Sequence, residues 1–475
     1  MVNAVIIMAA GLGKRMNSKL PKVLHPVAGK PMLAHAVSAA EAVAPEHLVV
    51  VVGHGRELVE EQLRAFAPQA VVAVQEQLLG TGDAARAGLG PLPQPDGEIV
   101  IINGDMPLLE GATVRRLVED HRAGGNDATI LIAELPDPVG YGRVLRRDGL
   151  VRRIVEERDA SEAERAVSEV NVGVYVFQAQ ALLDSLAELR PENEQGEYYL
   201  TDTIGLIAAA GGQVGTSLIE DFRQVEGVND RVQLAARNQE LNRRILRRWM
   251  LAGVTILDPA STWIEADVSL APDVTLLPGT SLEGATSIAT GAVIGPDTTL
   301  KDTEVGEGAQ IARSQATLSI IEAGAQVGPF SYLRPGTVVG ADGKLGAFCE
   351  TKNTKIGAGA KVPHLTYAGD AVIGEGANIG AGTIFANFDG VNKSVSTVGA
   401  HSFIGSDSVL VAPVNVAAGA YVAAGSVVTQ DVGPGELGIT RAEQRSVPGW
   451  VARRRPGTKT AQEADKSQDG DDGEN

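Results

Sequence analysis

The sequence is poor in cysteine, in aromatic residues and in long apolar runs, and each shortage excludes a class of protein. The single Cys349 excludes an intrachain disulfide and favours a reducing compartment. Aromatic residues make up only 4% of the 475 residues, whereas glycine occurs 56 times, which favours many tight turns. No apolar run approaches the roughly 18 residues of a membrane span, and no signal peptide precedes the first predicted strand. We therefore expect a cytoplasmic protein without membrane insertion.

Positive charge is also scarce in the chain as a whole. There are 41 Lys and Arg residues against 59 Asp and Glu, which gives a net charge of -18. A broad nucleic-acid-binding surface must neutralise many phosphates, so we expect no nucleic-acid partner. The cations that are present concentrate locally. Lys14, Arg15, Lys19 and Lys22 all fall in one short segment near the N-terminus.

In the first half of the chain, apolar strands alternate with helical patterns. The runs HLVVVVG (47–53), AVVAVQ (70–75) and EIVIINGD (98–105) predict buried parallel strands, and residues 56–67 predict a helix between two of them. This alternation predicts an α/β domain over residues 1–228 with a doubly wound, Rossmann-like sheet. In such sheets, ligands bind beyond the carboxyl ends of the strands.

The segment AAGLGKRMNSKLPKVLH (9–25) follows the first apolar run and predicts a phosphate-binding loop. It is not a Walker A loop, because Met8 stands where the first glycine belongs and Arg15 stands where Ser or Thr belongs. It is not a dinucleotide fingerprint either, because Met16 stands at the third glycine position. A glycine loop with several cations suits a triphosphate and its pyrophosphate leaving group.

A second motif, NGDMPL, places Asp105 at the end of a predicted strand, directly after a glycine that admits a ligand. Taken alone, this aspartate could equally well cap a helix. Beside the cationic loop, it predicts a carboxylate that holds Mg²⁺ against phosphate oxygens.

In the second half, aliphatic residues recur every six positions, which fits neither the helical period of 3.6 nor the strand period of 2. A period of six predicts a parallel β-helix, here over residues 254–456, in which one aliphatic side chain per short strand stacks inside. The recurring positions are Ile264, Leu270, Leu276, Leu282, Ile288, Ile294 and Leu300, then Ile321, Val327, Leu333, Val339 and Leu345, then Ile373, Ile379 and Phe385, then Val398, Ile404, Leu410, Val416, Val422 and Val428.

The six-residue frame slips near residues 361–371 and 387–397, and we expect both polar segments to loop outward and to carry function. His364 lies in the first segment, with Tyr367 close by.

Residues 229–253 predict an amphipathic linker helix rich in Arg. Residues 457–475 form an acidic tail that we expect to be disordered.

Taken together, these motifs resemble one family. They are AAGLGKRMNSKLPKVLH, QLLGTGDA, GDMPL, GYGRV, EVNVGVYVF, QGEYYLTD, VEGVNDR, YLRPG, HLTYAGDA, NIGAGT, NFDG and LVAPV. In this order they resemble the bacterial bifunctional N-acetylglucosamine-1-phosphate uridylyltransferase/glucosamine-1-phosphate acetyltransferase. The resemblance covers about residues 3–450 and implies a left-handed β-helix. It implies acetylation of glucosamine-1-phosphate by acetyl-CoA, then UMP transfer from UTP with release of pyrophosphate, which supplies a precursor of peptidoglycan and other envelope polymers.

For the N-terminal site, the resemblance implies the following roles. The residues are Ala9, Ala10, Gly11 and Gly13 for the nucleotide, Arg15 and Lys22 as catalytic cations, Gln75, Gly80 and Thr81 for uracil and ribose, Gly142, Glu156 and Asn171 for the sugar, and Asp105 and Asn229 for Mg²⁺, with Lys22 and Asn229 also contacting the nucleotide substrate.

For the C-terminal site, the resemblance implies His364 as general base, oriented by Glu350. It also implies a homotrimer assembled through the β-helix. The remaining implied residues are Arg334, Lys352, Tyr367, Asn378 and Asn387 for the amino-sugar phosphate, and Ala381, Ser406, Ala424 and Arg441 for acetyl-CoA.

Two residues depart from the pattern of the family. Lys14 stands where a Thr is expected and adds a cation to the nucleotide loop, and Phe388 stands where a Tyr is expected and removes a hydroxyl.

Three other interpretations of the function stay open on the sequence alone. One is a nucleotidyltransferase with a structural or regulatory β-helix, another is a non-enzymatic trimeric scaffold, and the third is the same pair of reactions on another sugar.

Overall fold

The computed structural model describes residues 2–93 and 95–469, apart from the side chains of residues 468 and 469. It divides into two compact units, Met1–Gly308 and Ala309–Asn475. The predicted domain limits at 228, 253 and 456 differ from this division and stay predictions. Within the described residues, no helix combines the length and apolar character needed to cross a membrane.

The first unit contains a nine-stranded mixed sheet and a small hairpin, β2–β3, beside it. The sheet order is β11-β7-β10-β6-β1-β4-β5, and β8 pairs with both β10 and β9. The strands are β1 (Val2–Met8), β2 (Pro26–Val27), β3 (Lys30–Pro31), β4 (His47–Val52), β5 (Val71–Val74), β6 (Glu98–Asn103), β7 (Ala128–Glu134), β8 (Gly142–Arg147), β9 (Leu150–Val155), β10 (Glu169–Gln178) and β11 (Val214–Leu218). This confirms the predicted α/β fold and its buried apolar strands.

Helices cover both faces of the sheet, because successive residues of each strand point to opposite sides and both sides are apolar. In β1, Val5 and Ile7 join one core with the helices at residues 32–41, 56–66 and 111–124, while Ala4 and Ile6 join another with the helices at residues 81–89, 179–188 and 202–209. The helices are α1 (Met32–Glu41), α2 (Arg56–Phe66), α3 (Thr81–Leu89), α4 (Gly111–Gly124), α5 (Glu162–Arg165), α6 (Ala179–Glu188), α7 (Asp202–Ala209) and α8 (Arg231–Leu251), with 3₁₀ turns at Lys14–Met16, Lys22–Leu24 and Phe222–Val225.

The predicted linker helix 229–253 is observed as α8, and the Asp230 side chain caps its first turn by accepting from the N–H of Gln233 at 2.8 Å. The amide of Asn242 lies between this helix and the first coil of the β-helix. It donates to the carbonyl of Thr262 at 2.8 Å and accepts from the N–H of Ile264 at 3.0 Å. This buried amide therefore ties α8 to the β-helix within the first unit.

The first unit also holds the start of the β-helix, as three short parallel sheets. Equivalent strands pair in register, for example Leu276 with Ile294 and Leu282 with Leu300, one coil apart. The strands are Thr255–Ile256, Thr275–Leu276 and Val293–Ile294 in one sheet, Trp263–Ile264, Ser281–Glu283 and Thr299–Lys301 in the next, and Ser269–Leu270, Ser287–Ile288 and Glu304–Val305 in the third.

The second unit has a left-handed β-helix architecture with three parallel faces. The first face consists of Gln310–Ile311, Gln326–Val327, Lys344–Ala347, Lys361–His364, Asn378–Ile379, Phe403–Ile404, Tyr421–Val422 and Leu437–Gly438. The second face consists of Gln315–Thr317, Tyr332–Leu333, Glu350–Lys352, Tyr367–Gly369, Ile384–Ala386, Val409–Val411 and Val427–Val428. The third face consists of Ile320–Ile321, Val338–Val339, Lys355–Ile356, Ala371–Ile373, Ser396–Val398 and Val414–Val416. Every recurring aliphatic residue predicted to lie inside is buried, with at most 8% of its surface exposed.

The two predicted outward loops differ in outcome. Residues 361–371 stay in the coil as regular strands, so the first prediction is wrong. The missing residue in the frame is absorbed at the corner, where Asp370 adopts a left-handed φ of 48°. The second loop is confirmed. Asn378 pairs with Phe403 across an excursion in which Phe388 and Lys393 form an isolated bridge.

The C-terminal segment also differs from expectation over part of its length. Helices α9 (Trp450–Arg454) and α10 (Lys459–Asp469) are formed, so the prediction of disorder is wrong for residues 459–469. Residues that favour helices fill this stretch, and Lys466 pairs with Glu463 one turn earlier at 2.8 Å. The rest of the predicted tail, residues 470–475, lies outside the described residues.

Candidate active sites

Two adjoining cavities lie at the carboxyl ends of β1 and β6. The first, of about 400 Å³, is lined by predicted nucleotide and metal residues, namely Ala9, Ala10, Gly11, Lys22, Gln75, Gly80, Thr81 and Asp105. The second, of about 510 Å³, is lined by Arg15, Gly142, Glu156, Asn171 and Asn229 and shares Thr81 and Asp105 with the first. The parallel strands bring these residues together, and the N–H of Gly104 donates to the carbonyl of Met8 at 2.9 Å.

Glycines shape the nucleotide cavity. Gly11 lines it and has no atom within 4 Å of the position of a Cβ, so its missing side chain leaves open space. Gly80 has a φ of +111°, and a Cβ there would lie 2.5 Å from the carbonyl oxygen of Tyr198. Gly13 lies outside both cavity linings, but a Cβ there would lie 2.8 Å from the Cβ of Lys22. Gly13 therefore admits the lysine to the site rather than contacting a ligand from the cavity wall.

Lys22 lies between the two predicted metal ligands. Its Nζ donates to the Asp105 carboxylate at 2.5 Å and to the Asn229 amide oxygen at 3.5 Å. An ammonium group therefore occupies the position of a cation between two hard oxygen donors. This donor set suits Mg²⁺, which binds carboxylate and carbonyl oxygens and fills its remaining positions with phosphates and water. Within the described residues there is no cluster of three or more His, Cys, Asp or Glu that could hold a metal by itself.

The buried Gln75 side chain is held in one orientation. Its Nε2 donates to the carbonyl of Gly80 at 3.0 Å and to the Asp83 carboxylate at 2.8 Å. Thr81 is fixed as well, because its hydroxyl accepts from the N–H of Leu200 at 2.9 Å. A fixed amide and a fixed hydroxyl on the cavity wall can distinguish one base and one ribose from others.

The second cavity holds a carboxyl group of unusual environment. The Glu156 carboxylate accepts from the Thr201 hydroxyl at 3.0 Å. Burial raises the pKa of Glu156 above its usual value, and the negative charges of Asp202 and Asp159 raise it further, against the hydrogen bond from Thr201. Asn171 is buried nearby, and its amide oxygen accepts from the N–H of Gly173 at 3.1 Å. These are polar groups suited to the hydroxyls of a sugar.

In the second unit, the residues predicted for acetyl-CoA stand in one column at the corner after the first face. Ala381, Ser406 and Ala424 occupy equivalent positions, two residues after the inner residue of three neighbouring strands. The carbonyl of Ala381 accepts from the N–H of Asp407 at 2.8 Å, and that of Ser406 accepts from the next coil in the same way. The Arg441 guanidinium donates to the carbonyl of Ala424 at 2.9 Å and ends the column.

His364 stands at the foot of this column. Lys361 pairs with Asn378, which places His364 level with Ala381 of the next coil, and the carbonyl of His364 accepts from the N–H of Gly382 at 3.3 Å. The imidazole is exposed. Within the described residues it has no side-chain partner. The structure thus brings the predicted base and the predicted coenzyme residues together, with the ring free to meet a substrate.

The predicted phosphate-binding residues gather at the far end of the second face. Arg334 and Lys352 occupy equivalent positions on successive coils. Asn387 follows the strand two coils further on, and a Cβ at Gly369 would lie 2.8 Å from its Nδ2 and 2.5 Å from the Tyr367 hydroxyl. These side chains therefore form a second cluster, separated from the corner of His364 by the width of the second face. Asn378, in contrast, lies on the first face.

Two features of this cluster were not foreseen. The Glu350 carboxylate accepts from the Arg334 guanidinium at 3.0 Å rather than from His364, because Glu350 belongs to the second face and pairs with Tyr332 below it. Lys393 also belongs to the cluster, since a hydrogen bond with Lys393 and then the charge of Lys393 lower the pKa of Lys352. The slip in the six-residue frame near residues 387–397 is the sequence signal that could have identified Lys393.

Asp370 organises the same corner from inside. Its carboxylate accepts from the amides of Asn353 at 2.8 Å and Asn387 at 2.5 Å. Burial alone would raise the pKa of Asp370, but these two hydrogen bonds and the charges of Lys352 and Lys393 outweigh burial and lower it. Asp370 therefore stays charged and holds the Asn387 side chain in place.

Comparison with known proteins shows the family of the chain. Residues 5–203 match the model of the MobA-like NTP transferase domain. The chain is 54% identical to the "Bifunctional protein GlmU" of Kineococcus radiotolerans, covering 98% of this chain and 95% of that protein. Proteins of the same name from Clavibacter sepedonicus (51%, covering 98% and 95%) and Streptomyces avermitilis (50%, covering 99% and 98%) are similar over the same extent.

The chain belongs to the GlmU family of bifunctional proteins. It is a bifunctional transferase with uridylyltransferase and acetyltransferase activities. The similarity to GlmU proteins extends over nearly the whole chain and thus includes both sites. The interpretation of the β-helix as a purely structural or regulatory attachment is therefore not favoured.

Proposed function

We propose that the cavities of the first unit perform uridylyl transfer and that the β-helix of the second unit performs acetyl transfer. Acetyl-CoA first acetylates the amine of glucosamine-1-phosphate, and UMP then passes from UTP to N-acetylglucosamine-1-phosphate. The observation that supports this division is that the two predicted residue sets fall into separate clusters, one around Lys22 and one around His364.

In uridylyl transfer, an oxygen of the sugar phosphate attacks the α-phosphorus of UTP and pyrophosphate leaves. The chain must hold two anions in line and balance their charge. The backbone around Gly11 binds the nucleotide, and Gln75 and Thr81 orient its base and ribose. Arg15 and Lys22 neutralise the phosphates, once Lys22 exchanges its carboxylate partner for a phosphate oxygen. Glu156 and Asn171 hold the sugar hydroxyls.

We further propose that Asp105 and Asn229 hold Mg²⁺. Their oxygens already converge on a cation, the Lys22 ammonium. When bound, Mg²⁺ neutralises and orients phosphate oxygens. Asp105 belongs to the loop after β6, and Asn229 precedes α8. The metal ligands thus come from two segments that the fold brings together.

In acetyl transfer, the amine of glucosamine-1-phosphate attacks the thioester carbonyl of acetyl-CoA. The nitrogen–carbon bond forms, the carbon–sulfur bond breaks, and the amine proton passes through a base to the leaving thiolate. His364 is the base, because a neutral imidazole near pH 7 accepts such a proton and the ring is exposed beside the coenzyme column. Arg334, Lys352 and Lys393 hold the sugar phosphate, and Glu350 positions Arg334.

The acetyl-CoA residues act mainly through the backbone. Ala381, Ser406 and Ala424 present one edge of the coil along which an extended pantetheine arm can lie, with its thioester toward His364. Arg441 then lies at the end of the column farthest from His364, where its charge suits the phosphates of the coenzyme.

We propose a homotrimer assembled through the β-helix. Support comes from a row of exposed apolar side chains, Phe330, Phe348 and Leu365, at the same corner as His364. The two phenyl rings stack at 5.3 Å between centroids. Such a row is costly in water and is covered when copies pack around a closed cyclic axis. Light scattering should give about three times the 49.4 kDa of one chain, and a monomer at micromolar concentration would contradict the proposal.

A cytoplasmic location is part of the same proposal, because the only cysteine, Cys349, is buried and unpaired.

Product analysis by mass spectrometry tests the proposed pair of reactions. The full mixture of glucosamine-1-phosphate, acetyl-CoA, UTP and Mg²⁺ should yield UDP-N-acetylglucosamine, while omission of UTP should stop at N-acetylglucosamine-1-phosphate. Galactosamine-1-phosphate serves as the control for another sugar. Equal turnover of both sugars would overturn the assigned substrate.

A further inference from the structure

A groove along the linker helix α8 is used by neither proposed reaction. It encloses about 760 Å³, a size common among small-molecule sites. Helix α8 forms one side, the turn at Phe222 forms another, and the first coil of the β-helix around Trp263 forms the third. All three belong to the first unit. The groove is therefore a feature of one compact body.

The groove contains more positive charge than its acidic residues balance. Its lining holds four arginines and two glutamates, which are Arg223, Arg237, Arg243, Arg247, Glu226 and Glu240. Glu226 accepts from Arg237, and Glu240 accepts from Arg243 at 2.7 and 2.8 Å. Within the described part of the chain, Arg223 and Arg247 have no side-chain partner. Two guanidinium groups therefore remain available to an anion.

The same groove exposes flat apolar surface. Trp263 and Phe222 both line it and are 40% and 38% exposed. Aromatic faces bind planar rings by stacking, and guanidinium groups bind phosphate oxygens in pairs. The groove is lined by both kinds of group, and its volume is large enough for a small molecule. The chemistry fits a planar ring that carries a phosphate.

Two of the lining residues also face the sugar cavity. Glu226 and Arg237 line both the groove and the cavity that holds Glu156 and Asn171. The Arg237 side chain is only 13% exposed, and its Nε is buried without a hydrogen-bond partner. A buried donor without an acceptor is costly and marks a position that a ligand oxygen can satisfy.

We propose that this groove is a regulatory site for a phosphorylated planar ring, such as a nucleoside phosphate, and that its occupant weakens sugar-phosphate binding. The phosphate of the occupant competes with Glu226 for Arg237. A Glu226 carboxylate released from its partner repels an anionic substrate in the adjoining cavity. The binding part stands independently of the reactions, whereas the coupling part rests on the proposed sugar site.

The binding test uses 1-naphthyl phosphate as the probe, in calorimetry on the full chain with UTP present to fill the nucleotide cavity. Binding of one probe per chain is expected, with affinity at least about tenfold above that of 1-naphthol or inorganic phosphate. The variant Arg223→Gln/Arg247→Gln should lose at least about tenfold in affinity. The control Arg147→Gln/Arg152→Gln removes two exposed charges of β8 and β9 and should bind as the wild type does. No binding, equal binding of 1-naphthol, or equal loss in the control overturns the site.

The coupling test measures uridylyl transfer at saturating probe. The wild-type KM for N-acetylglucosamine-1-phosphate should rise at least about threefold, with kcat changed less than about twofold, because ground-state binding is what the occupant weakens. The variant Glu226→Gln/Arg237→Met has no carboxylate to release, so its KM should change by less than about 1.5-fold on probe binding. An unchanged wild-type KM, or an equal response of the variant, overturns the coupling. A wild-type enzyme without uridylyl transfer would instead contradict the proposed function.

Discussion

The two sites are built on opposite plans. In the first unit, functional side chains leave the ends of different strands and meet around a cavity, where Lys22 already contacts Asp105 and Asn229. In the second unit, they stand in columns along the corners of a repeating coil, and the imidazole of His364 is exposed. A site of the first kind is closed by its own chain. A column on a convex corner needs a second surface to exclude water, which is why we expect assembly to matter for acetyl transfer alone.

The contrast extends to one buried carboxyl group in each site. Burial raises the pKa of Glu156, and only one hydroxyl opposes the shift. Asp370 is also buried, but two amides and two lysines lower its pKa. The comparison shows that burial does not decide the charge of a carboxyl group by itself, since the donors around it decide the sign.

The largest expected effect is the loss of one activity without the other, which shows that the two sites work independently. Asp105→Ala removes a metal ligand and leaves the Lys22 ammonium without its carboxylate. Uridylyl transfer should fall by at least about 10⁴-fold, because the loss of metal-assisted charge neutralisation is worth several kcal/mol. Acetyl transfer should stay within about twofold, as expected for sites in separate compact units that share no residues. Separate assays of both products check this, with Glu61→Ala as the exposed control. Loss of both activities in a folded protein would refute the two-site model.

The second prediction concerns the exposed histidine. His364→Asn should lower acetyl transfer by about 10²–10⁴-fold, the usual contribution of a general base, and should leave uridylyl transfer and the trimer unchanged. His401→Asn is the matched control, because His401 is exposed on the same β-helix and its φ of 54° is tolerated by Asn. Retention of acetyl transfer within about threefold by His364→Asn would remove the base assignment.

The third prediction tests the lowered pKa in the second site. The folded-state pKa of Asp370 lies below the usual pKa of an aspartate, so its carboxylate stabilises the fold at pH values above that usual pKa. The stabilisation is lost as pH falls through the lower folded-state pKa. Asp370→Asn should therefore lower the free energy of unfolding by about 1–3 kcal/mol at pH 7. Calorimetric melting should show the difference shrinking towards acid pH. Asp407→Asn, at an exposed corner, is the control, and a difference in stability that does not shrink towards acid pH would contradict the argument.

The smallest expected effect has the opposite sign. The folded-state pKa of Glu156 is raised, so protonation favours the fold at low pH and this contribution is lost as pH rises through the raised value. Glu156→Gln should therefore raise melting stability at pH 8 by about 1 kcal/mol or less and change it little at pH 4, while weakening sugar binding. Glu157→Gln is the neighbouring control. Its carboxylate pairs with Arg143 at 2.7 Å, so that variant should lose stability. Destabilisation by both changes would show that Glu156 is charged and well solvated.

Most of the fold could be predicted from the periodicity of apolar residues in the sequence. The apolar runs at β4, β5 and β6 were predicted within two residues of their observed ends, and every six-spaced aliphatic residue lies inside the β-helix. These patterns are local, because a buried parallel strand or a β-helix coil needs the same residue types whatever its neighbours are. The cationic loop and Asp105 were predicted from motifs, but most other residues of the candidate sites came from the resemblance to a family, since no spacing in the chain relates Asp105 to Asn229.

The expectations that failed in the β-helix all concern where a residue lies in the coil, which depends on how the coil turns at its corners. Residues 361–371 were expected to loop outward because the frame slips in a polar segment, but a left-handed residue at a corner absorbs the slip. The resemblance implied that Glu350 orients His364, yet the two residues lie on different faces of the coil and Glu350 accepts from Arg334. Lys393 was missed, although its loop was found.

The sequence by itself determined the alternation of strands and helices, the six-residue coil and the cationic loop, because each depends on contacts between residues near in sequence or on a strict repeat. Only the tertiary structure decided which charges meet. The contact of Lys22 with Asp105, the pairing of Glu350 with Arg334 and the contact of Glu226 with Arg237 follow from how strand ends, stacked coils and helix α8 meet in space. Electrostatic partnership depends on distance and burial in space, which residue order does not specify.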